Sequence, residues 1–472
     1  MKKNILFIIL FCLSSLAVFA EVSNLYFMDY LPYRVYMNPA LRPICGTYVE
    51  LPGISTVSLE VGNNSISIND FIQYKDGKMV TSLHPDYGDR DALYKSIKNN
   101  TIIHQELSVS ILGFGFRVKE RGYFSFNLSA REDLTGTLPK DLFKLALYGT
   151  PDIEGVNRYN LSSTSADASV YIDMSGAYSH KINEQWTVGA RLHLLMGLAN
   201  ARASFSSFNL DASIDEWNLN GNGSIRASVP GITVELDDEG HITKINYPTE
   251  FKDYLQSYKP SIGAAIDLGG EYKPLPELSI SLSLKDVGFM YWQNSHKAGG
   301  DIDYTFTGIE YKPEEQVNYA DSLLKALQAS YVYDVNASPY VSAMNAKMYV
   351  GIEYSFLKNM MSVGLLSRTD LNACRFSEEL TLAYNLRPCS WFGLSASYSF
   401  ISGGFSTLGL GFNLRLPPFS IYVAGDYMPL YYSKEGIPYR SERLNLQAGI
   451  VLTFGCKKCN TKPLYTPTDF AQ

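Results

Sequence analysis

The side chains able to act as bases, nucleophiles or metal ligands are few and far apart. The six histidines are His84, His104, His180, His193, His241 and His296, and no two of them form the His-Glu-x-x-His pair of a zinc hydrolase. Gly393-Leu394-Ser395-Ala396-Ser397 and Gly113-Phe114-Gly115 carry the outline of a nucleophile elbow and of a nucleotide loop. Both lie inside alternating stretches, whereas those motifs need a tight turn from strand to helix. His180 and His193 flank one short turn with no serine standing out beside them, so the sequence shows no nucleophile-and-base pair. Asp86, Asp89 and Asp91 could gather a surface calcium ion, although a solvated acidic loop is the simpler reading. The expectation is a non-enzyme with no cofactor and no resident metal.

The elements that would have to position any site are β-strands. Mean hydropathy is −0.08, too low for a bundle of helical membrane spans of about 20 apolar residues each. Charged residues make up 18% of the 472, which is low for a soluble domain and argues against disorder. The formal charge is −7, and it becomes −9 once Lys2 and Lys3 leave with a signal peptide. An acidic chain of this kind is a poor ligand for nucleic acid. Lys2 and Lys3, the apolar run Ile5 to Leu13 and the small-residue site Val18-Phe19-Ala20 mark residues 1–20 as that signal peptide.

Beyond it, period-2 alternation dominates. In Ala166 to Tyr178 one face reads Ala166, Ala168, Val170, Ile172, Met174, Gly176 and Tyr178, against Asp167, Ser169, Tyr171, Asp173, Ser175 and Ala177. Trp186 to Leu198 and Leu278 to Leu284 behave alike. Alternation over about 10 residues with aromatics near the ends marks a membrane-spanning β-strand, whereas strands of a soluble sandwich run to about 5 or 6. Short turns at 119–122, 182–185, 274–277, 357–360, 387–390 and 417–418 alternate with connections at 71–103, 132–166, 200–258, 293–344, 370–377, 401–405 and 429–443. That is the pattern of short periplasmic turns and longer extracellular loops. Strands are expected near 46–62, 104–118, 122–131, 166–180, 186–199, 259–273, 278–292, 345–356, 361–369, 378–387, 391–400, 406–416, 419–428 and 443–454. The fold class is therefore all-β, a single antiparallel barrel of about fourteen strands in the bacterial outer membrane, residues 46–454. Residues 21–45 would form a plug or periplasmic segment and 455–472 a periplasmic tail. Helices are expected in the loops at Lys140 to Tyr148 and Pro313 to Ala329, and a hairpin around Asp237-Asp238-Glu239-Gly240.

In such a barrel the polar face lines the lumen. The lumen set is Asn127, Arg131, Asp173, Arg191, His193, Asp267, Lys285, Lys347, Glu353, Arg368, Asn385, Asn413, Arg415, Asp426, Asn445 and Gln447. Its strongest candidates for handling a ligand are Arg191, His193, Asp267, Lys285, Glu353, Arg368, Arg415 and Asp426. Barrel closure also makes the first and last strands neighbours, so a disulfide of Cys45 with Cys456 or Cys459 is expected. Cys374 and Cys389 would sit at opposite ends of the barrel, beyond the roughly 7 Å a disulfide can bridge. Cys456-Lys457-Lys458-Cys459 alone resembles a redox or zinc knuckle that lacks its second pair.

Asn38-Pro39-Ala40, Leu51-Pro52-Gly53 and Gly62-Asn63-Asn64 resemble the start of an uncharacterised outer-membrane barrel family of Bacteroides-type bacteria. Ala265-Ile266-Asp267-Leu268-Gly269, followed by Leu284-Lys285-Asp286-Val287-Gly288-Phe289 and Trp292, is similar to that family's paired central strands. The wider group resembles the long-chain fatty acid transporter FadL and the PorV-type outer-membrane proteins. The resemblance implies a fourteen-stranded barrel. It also implies either a FadL-like channel for a hydrophobic or amphiphilic small molecule, or a non-transporting scaffold that docks an envelope protein for secretion or surface assembly. The expected partners are outer-membrane lipid and one of those two. Where the chain departs is its end, which runs 18 residues past Phe454.

Overall fold

In the computed structural model, residues 23–52, 56–75, 78–84, 88–149, 155–248, 250–307, 331–372, 375–401, 405–428, 431–432, 438–439 and 443–456 are described. The signal peptide at 1–20, the loop helix expected at 313–329, Asp86, Cys374, Cys459 and the tail beyond 456 lie outside them.

Among the described residues fourteen strands close into one antiparallel barrel. They are β1 in two pieces (Thr47–Glu50 and Val57–Asn63), β2 (Asn100–Val118), β3 (Gly122–Pro139), β4 (Ser165–Lys181), β5 (Trp186–Ala212), β6 (Ser261–Leu275) and β7 (Leu278–Trp292). Then follow β8 (Lys347–Phe356), β9 (Met361–Asn372), β10 (Arg375–Cys389), β11 (Phe392–Ile401), β12 (Phe405–Leu416), β13 (Phe419–Met428) and β14 (Arg443–Phe454). The seam closes where β1 pairs with β14 through Thr47↔Phe454 and Val57↔Ala448, and with β2 through Thr47↔Phe116. A closed ladder leaves no edge to be satisfied by water, which the hydrocarbon core of a membrane does not supply.

The alternation sorts as the sequence predicts. Leucines such as Leu192 (65% exposed), Leu194, Leu268, Leu282 (52%), Leu382 and Leu410 point outward. Outward aromatics collect near the short turns, with Trp186 stacked on Tyr272 and with Tyr178, Tyr354, Trp391, Phe419 and Phe454, and again near the far rim with Phe289, Tyr291 and Phe400. An apolar band between two aromatic girdles is the exterior of an outer-membrane barrel. That is where this protein resides.

Several strands outrun their expected ends. β3 continues to Pro139 because its ladder with β2 runs on to Asn100↔Pro139, and the upper part of β5 is paired by Trp217–Ser228. Much of the 132–166, 200–258 and 293–344 connections is therefore wall rather than loop. Asn157–Asn160, Trp217–Ser228, Ser295–Phe306 and Val332–Asp334 join this raised sheet. The hairpin Thr233–Leu236/Ile242–Asn246 and the helix Lys140–Tyr148 pack on it through Val234, Ile245, Leu142 and Leu145, around Tyr159, Leu210, Leu219 and Ile302. That helix stops at Gly149, whose φ of +59° suits glycine and whose N–H returns to the Leu145 carbonyl at 2.8 Å.

Residues 23–45 lie inside the barrel. Leu25, Tyr26, Phe27, Met28, Leu31, Tyr33, Met37 and Leu41 pack against inward wall residues Tyr48, Tyr123, Tyr349, Leu366, Tyr422 and Val451 to form the main apolar core. The plug thus carries its own apolar surface into a lumen that is otherwise polar.

Candidate functional site

The plug is seated by close backbone approach and by arginines. Gly189 on β5 and Gly269 on β6 are register partners, and Asn38-Pro39-Ala40 crosses over both. A Cβ on Gly189 would stand 2.5 Å from the Pro39 carbonyl oxygen, so only glycine admits the chain there. Asn38 is fully buried; its Oδ1 accepts the Ala40 N–H at 2.9 Å and its amide donates to Tyr26 Oη at 3.2 Å. Arg387 reaches Asp29 at 3.1 Å, the Phe27 carbonyl at 2.8 Å and Glu353 at 3.0 Å. Arg191 donates to the Val35 carbonyl at 2.9 Å and lies 4.7 Å over the Tyr36 ring. Arg415 stacks 4.8 Å over Tyr30, and Asp426 accepts the Ser23 N–H at 2.5 Å.

Above the plug lies a layer of buried charge. Arg131 gives two nitrogens to Asp286 at 2.9 Å each and one to Asp173 at 3.3 Å. His193 sits between two carboxylates, Nδ1 at 2.9 Å from Asp173 and Nε2 at 3.0 Å from Asp267. Arg191 Nε stands 3.6 Å from Asp267, and Lys285 Nζ 3.8 Å from Asp286. A second group joins Glu60 to His104 at 3.1 Å and to Arg368 at 2.8 Å, and Lys347 to Glu106. In a low-dielectric interior such charges persist only in mutual pairing. The void left among these groups is about 70 Å³, room for water alone. The ligating atoms of His193, Asp267 and Asp286 lie close enough to surround a cation, but Arg131 and Arg191 already occupy those carboxylates. On the exposed hairpin, Asp237 accepts the Glu239 and His241 N–H groups at 3.0 and 2.7 Å, and so closes the turn.

A space larger than that void is a cavity of about 520 Å³ toward the extracellular rim, where β3, β4, β5 and β7 leave the apolar band. One side is apolar, with Met290, Trp292, Ala343 and Met344; the other carries Asp133, Asp167, Tyr171, Arg202 and several serines. Its size is that of a small-molecule site. Arg202 binds Asp167 through Nε at 2.8 Å, and the Tyr171 hydroxyl donates to Asp133 at 2.6 Å.

All eight strongest candidates from the sequence point inward and are buried, yet they do not form one site. Arg191, His193, Asp267 and Lys285 meet in the charged layer. Glu353, Arg415 and Asp426 hold the plug or its surroundings, and Arg368 belongs to the Glu60 group. None of them lines the larger cavity. Cys45 and Cys456 are bonded across the seam, and Cys389 is a free thiol. Sequence reasoning missed Asp286, Arg387 and the cavity residues. Asp286 turns inward beside Lys285 through a φ of +57° at a register shift between β6 and β7. Two adjacent charges in an otherwise alternating strand were its signal, since a regular strand would have put one of them in lipid.

Comparison with other proteins gives a family but no activity. A family model described as a family of unknown function, DUF5723, matches residues 39–426. No curated protein matches the chain in sequence. Among solved structures it is similar to the monoaromatic hydrocarbon channel CymD (9% identity, 90% of this chain and 94% of that one, TM-score 0.42). It is similar also to the P. putida toluene transporter TodX (10%, 89% and 93%, TM-score 0.39). A third is a Pseudomonas aeruginosa FadL homologue (11%, 91% and 95%, TM-score 0.40).

Proposed function

The chain belongs to the DUF5723 family, and we propose that this member is an outer-membrane channel for a hydrophobic or amphiphilic small molecule. One observation carries the reading. The cavity at the extracellular rim is apolar on the Trp292 side and polar on the Asp133 side, above the charged layer and the segment 23–45 packed inside the barrel. An amphiphile is the ligand that matches both surfaces at once. Passage then requires the plug to shift, giving up both its arginine contacts and its apolar packing against Tyr48, Tyr349 and Leu366. We read His193, whose two ring nitrogens both face carboxylates, as part of the charged layer and not as a general base. The signal peptide at 1–20 would deliver the chain for assembly, and the Cys45–Cys456 bond would fasten the barrel seam in the oxidising periplasm.

The raised extracellular layer favours a second reading. It has its own apolar core around Tyr159, Leu210 and Ile302, more structure than a pore alone needs, and so could dock an envelope protein. Native mass spectrometry on protein extracted gently from its own membrane separates the two. A discrete amphiphile bound at one copy per chain is the expected result. A stoichiometric protein partner with an empty lumen would replace the channel reading by the docking one.

A further inference from the structure

The lining of the extracellular cavity narrows the ligand further, an inference that rests on the channel reading above. We infer that the polar end of the ligand is a hydrogen-bond donor without negative charge, a hydroxyl or an ammonium, and not a carboxylate or phosphate. The one cation among the lining residues, Arg202, and Arg131 beneath them are already engaged. Arg202 holds Asp167 through two of its nitrogens, one at 2.8 Å. Arg131, just below the floor, is held by Asp286 at 2.9 Å through both terminal nitrogens and reaches Asp173 at 3.3 Å.

The floor itself presents acceptors. Asp133 accepts the Tyr171 hydroxyl at 2.6 Å, and a carboxylate has capacity for further donors. Thr135, Ser165, Ser169 and Ser204 add hydroxyls that accept as readily as they donate. A donor head group laid here finds partners without displacing anything. An anionic head would be brought against Asp133, and like charges a few ångströms apart repel strongly where water is partly excluded. Recruiting Arg202 to neutralise the anion would strip Asp167 of its cation, so the problem would move rather than disappear.

Trp292 reports occupancy. It lines the apolar side, buried, with its indole N–H donated to Ser342 Oγ at 2.9 Å. The probes are a dibrominated alkyl alcohol and the matching amine and carboxylate of one chain length. They are titrated into the full mature protein in lipid nanodiscs at mildly alkaline pH, where the amine is charged and the carboxylate ionised. Bromine quenching that disappears in Trp292→Phe is cavity binding; the other three tryptophans, Trp186, Trp217 and Trp391, supply the background.

The alcohol and amine are expected to quench the Trp292 component at concentrations about tenfold or more below the carboxylate. Asp133→Asn is expected to narrow the gap between the amine and the carboxylate. A carboxylate that binds as well as the other two overturns this inference and leaves the cavity a ligand site. Quenching by none of the three beyond the Trp292→Phe background overturns the channel reading itself. Native mass spectrometry of the unsubstituted protein with the same probes repeats the comparison without relying on any variant's folding.

Discussion

Arg387→Met tests whether the plug is fastened by the wall. The substitution removes the guanidinium and keeps an unbranched apolar stem. It breaks the ion pairs to Asp29 at 3.1 Å and Glu353 at 3.0 Å, and the hydrogen bonds to the Phe27 carbonyl and Asn359 Oδ1, both 2.8 Å, and to Ser362 Oγ at 3.2 Å. These contacts act as one unit, so their energies do not add. Loss of one partner from a buried, hydrogen-bonded pair costs about 3–5 kcal/mol, because the remaining carboxylates lose their cation. An unfolding entropy of about 2.1 cal/mol/K per residue comes to roughly 0.9 kcal/mol per kelvin for a chain of this length, so the midpoint should fall by roughly 3–6 °C. The assay is the gel mobility of unboiled protein after heating through a temperature series, which follows the compact band into the unfolded one. Asp29→Asn and the double variant complete a cycle in which the combined loss is smaller than the two separate losses together. Lys181→Ala is the control: its pair with Glu184 at 2.5 Å sits on an exposed turn, where water screens it, and its loss should leave the midpoint unmoved. A shift below about 1 °C for Arg387→Met, or an equal shift for Lys181→Ala, would refute the fastening argument.

Leu282→Arg, on the lipid face of β7, should cost about 2–4 kcal/mol and lower the yield of folding into vesicles. Gly269→Val should drive Asn38 off the wall and raise protease cleavage within 23–45, with the barrel band retained on unboiled gels. Burial holds the His296 imidazole, in the raised layer, below its ordinary value of about 6.5. The unfolded state then binds more protons, so the layer's stability is present above that value and declines as pH falls through the lowered one. Hydrogen exchange across Ser295–Phe306 should therefore accelerate on acidification, and His296→Gln should flatten the response. Peptide mapping of oxidised protein should find Cys45 linked to Cys456 and Cys389 open to alkylation; Cys45 and Cys456 both as free thiols would contradict the pairing.

The barrel was legible because its rule is local: each strand must alternate, and a charge on the wrong face is costly wherever it stands. Leu192 and Arg191 are neighbours in sequence and were assigned to opposite faces on that ground alone, and the structure places them so. The partners of an inward residue were not legible, because they are set by register between strands far apart in sequence. Arg131 meets Asp286 across 155 positions, and only after a shift in the β6–β7 ladder turns Asp286 inward. Arg387 read as a turn residue since it adjoins a short connection, while its role comes from Asp29 in a segment without strand periodicity. The cavity was hidden for a related reason. Trp292 read as the aromatic end of a strand, and the continuation of β3 and β5 past the band is what walls in the space beside it.

The wall is uneven in height. A ten-residue strand such as β11 or β13, tilted by about 40°, rises roughly 25 Å, about the thickness of the apolar band. β5, with 27 residues, rises roughly 70 Å on the same reckoning and stands some 40 Å clear of the membrane. Among the described residues the barrel mouth is thus cut obliquely, with a tall shield on the β3–β7 side and shorter strands on the β9–β13 side, a low sill. Approach is directional. A molecule moving among the lipid head groups arrives level with the sill, whereas one falling from the medium on the other side is turned aside by the shield.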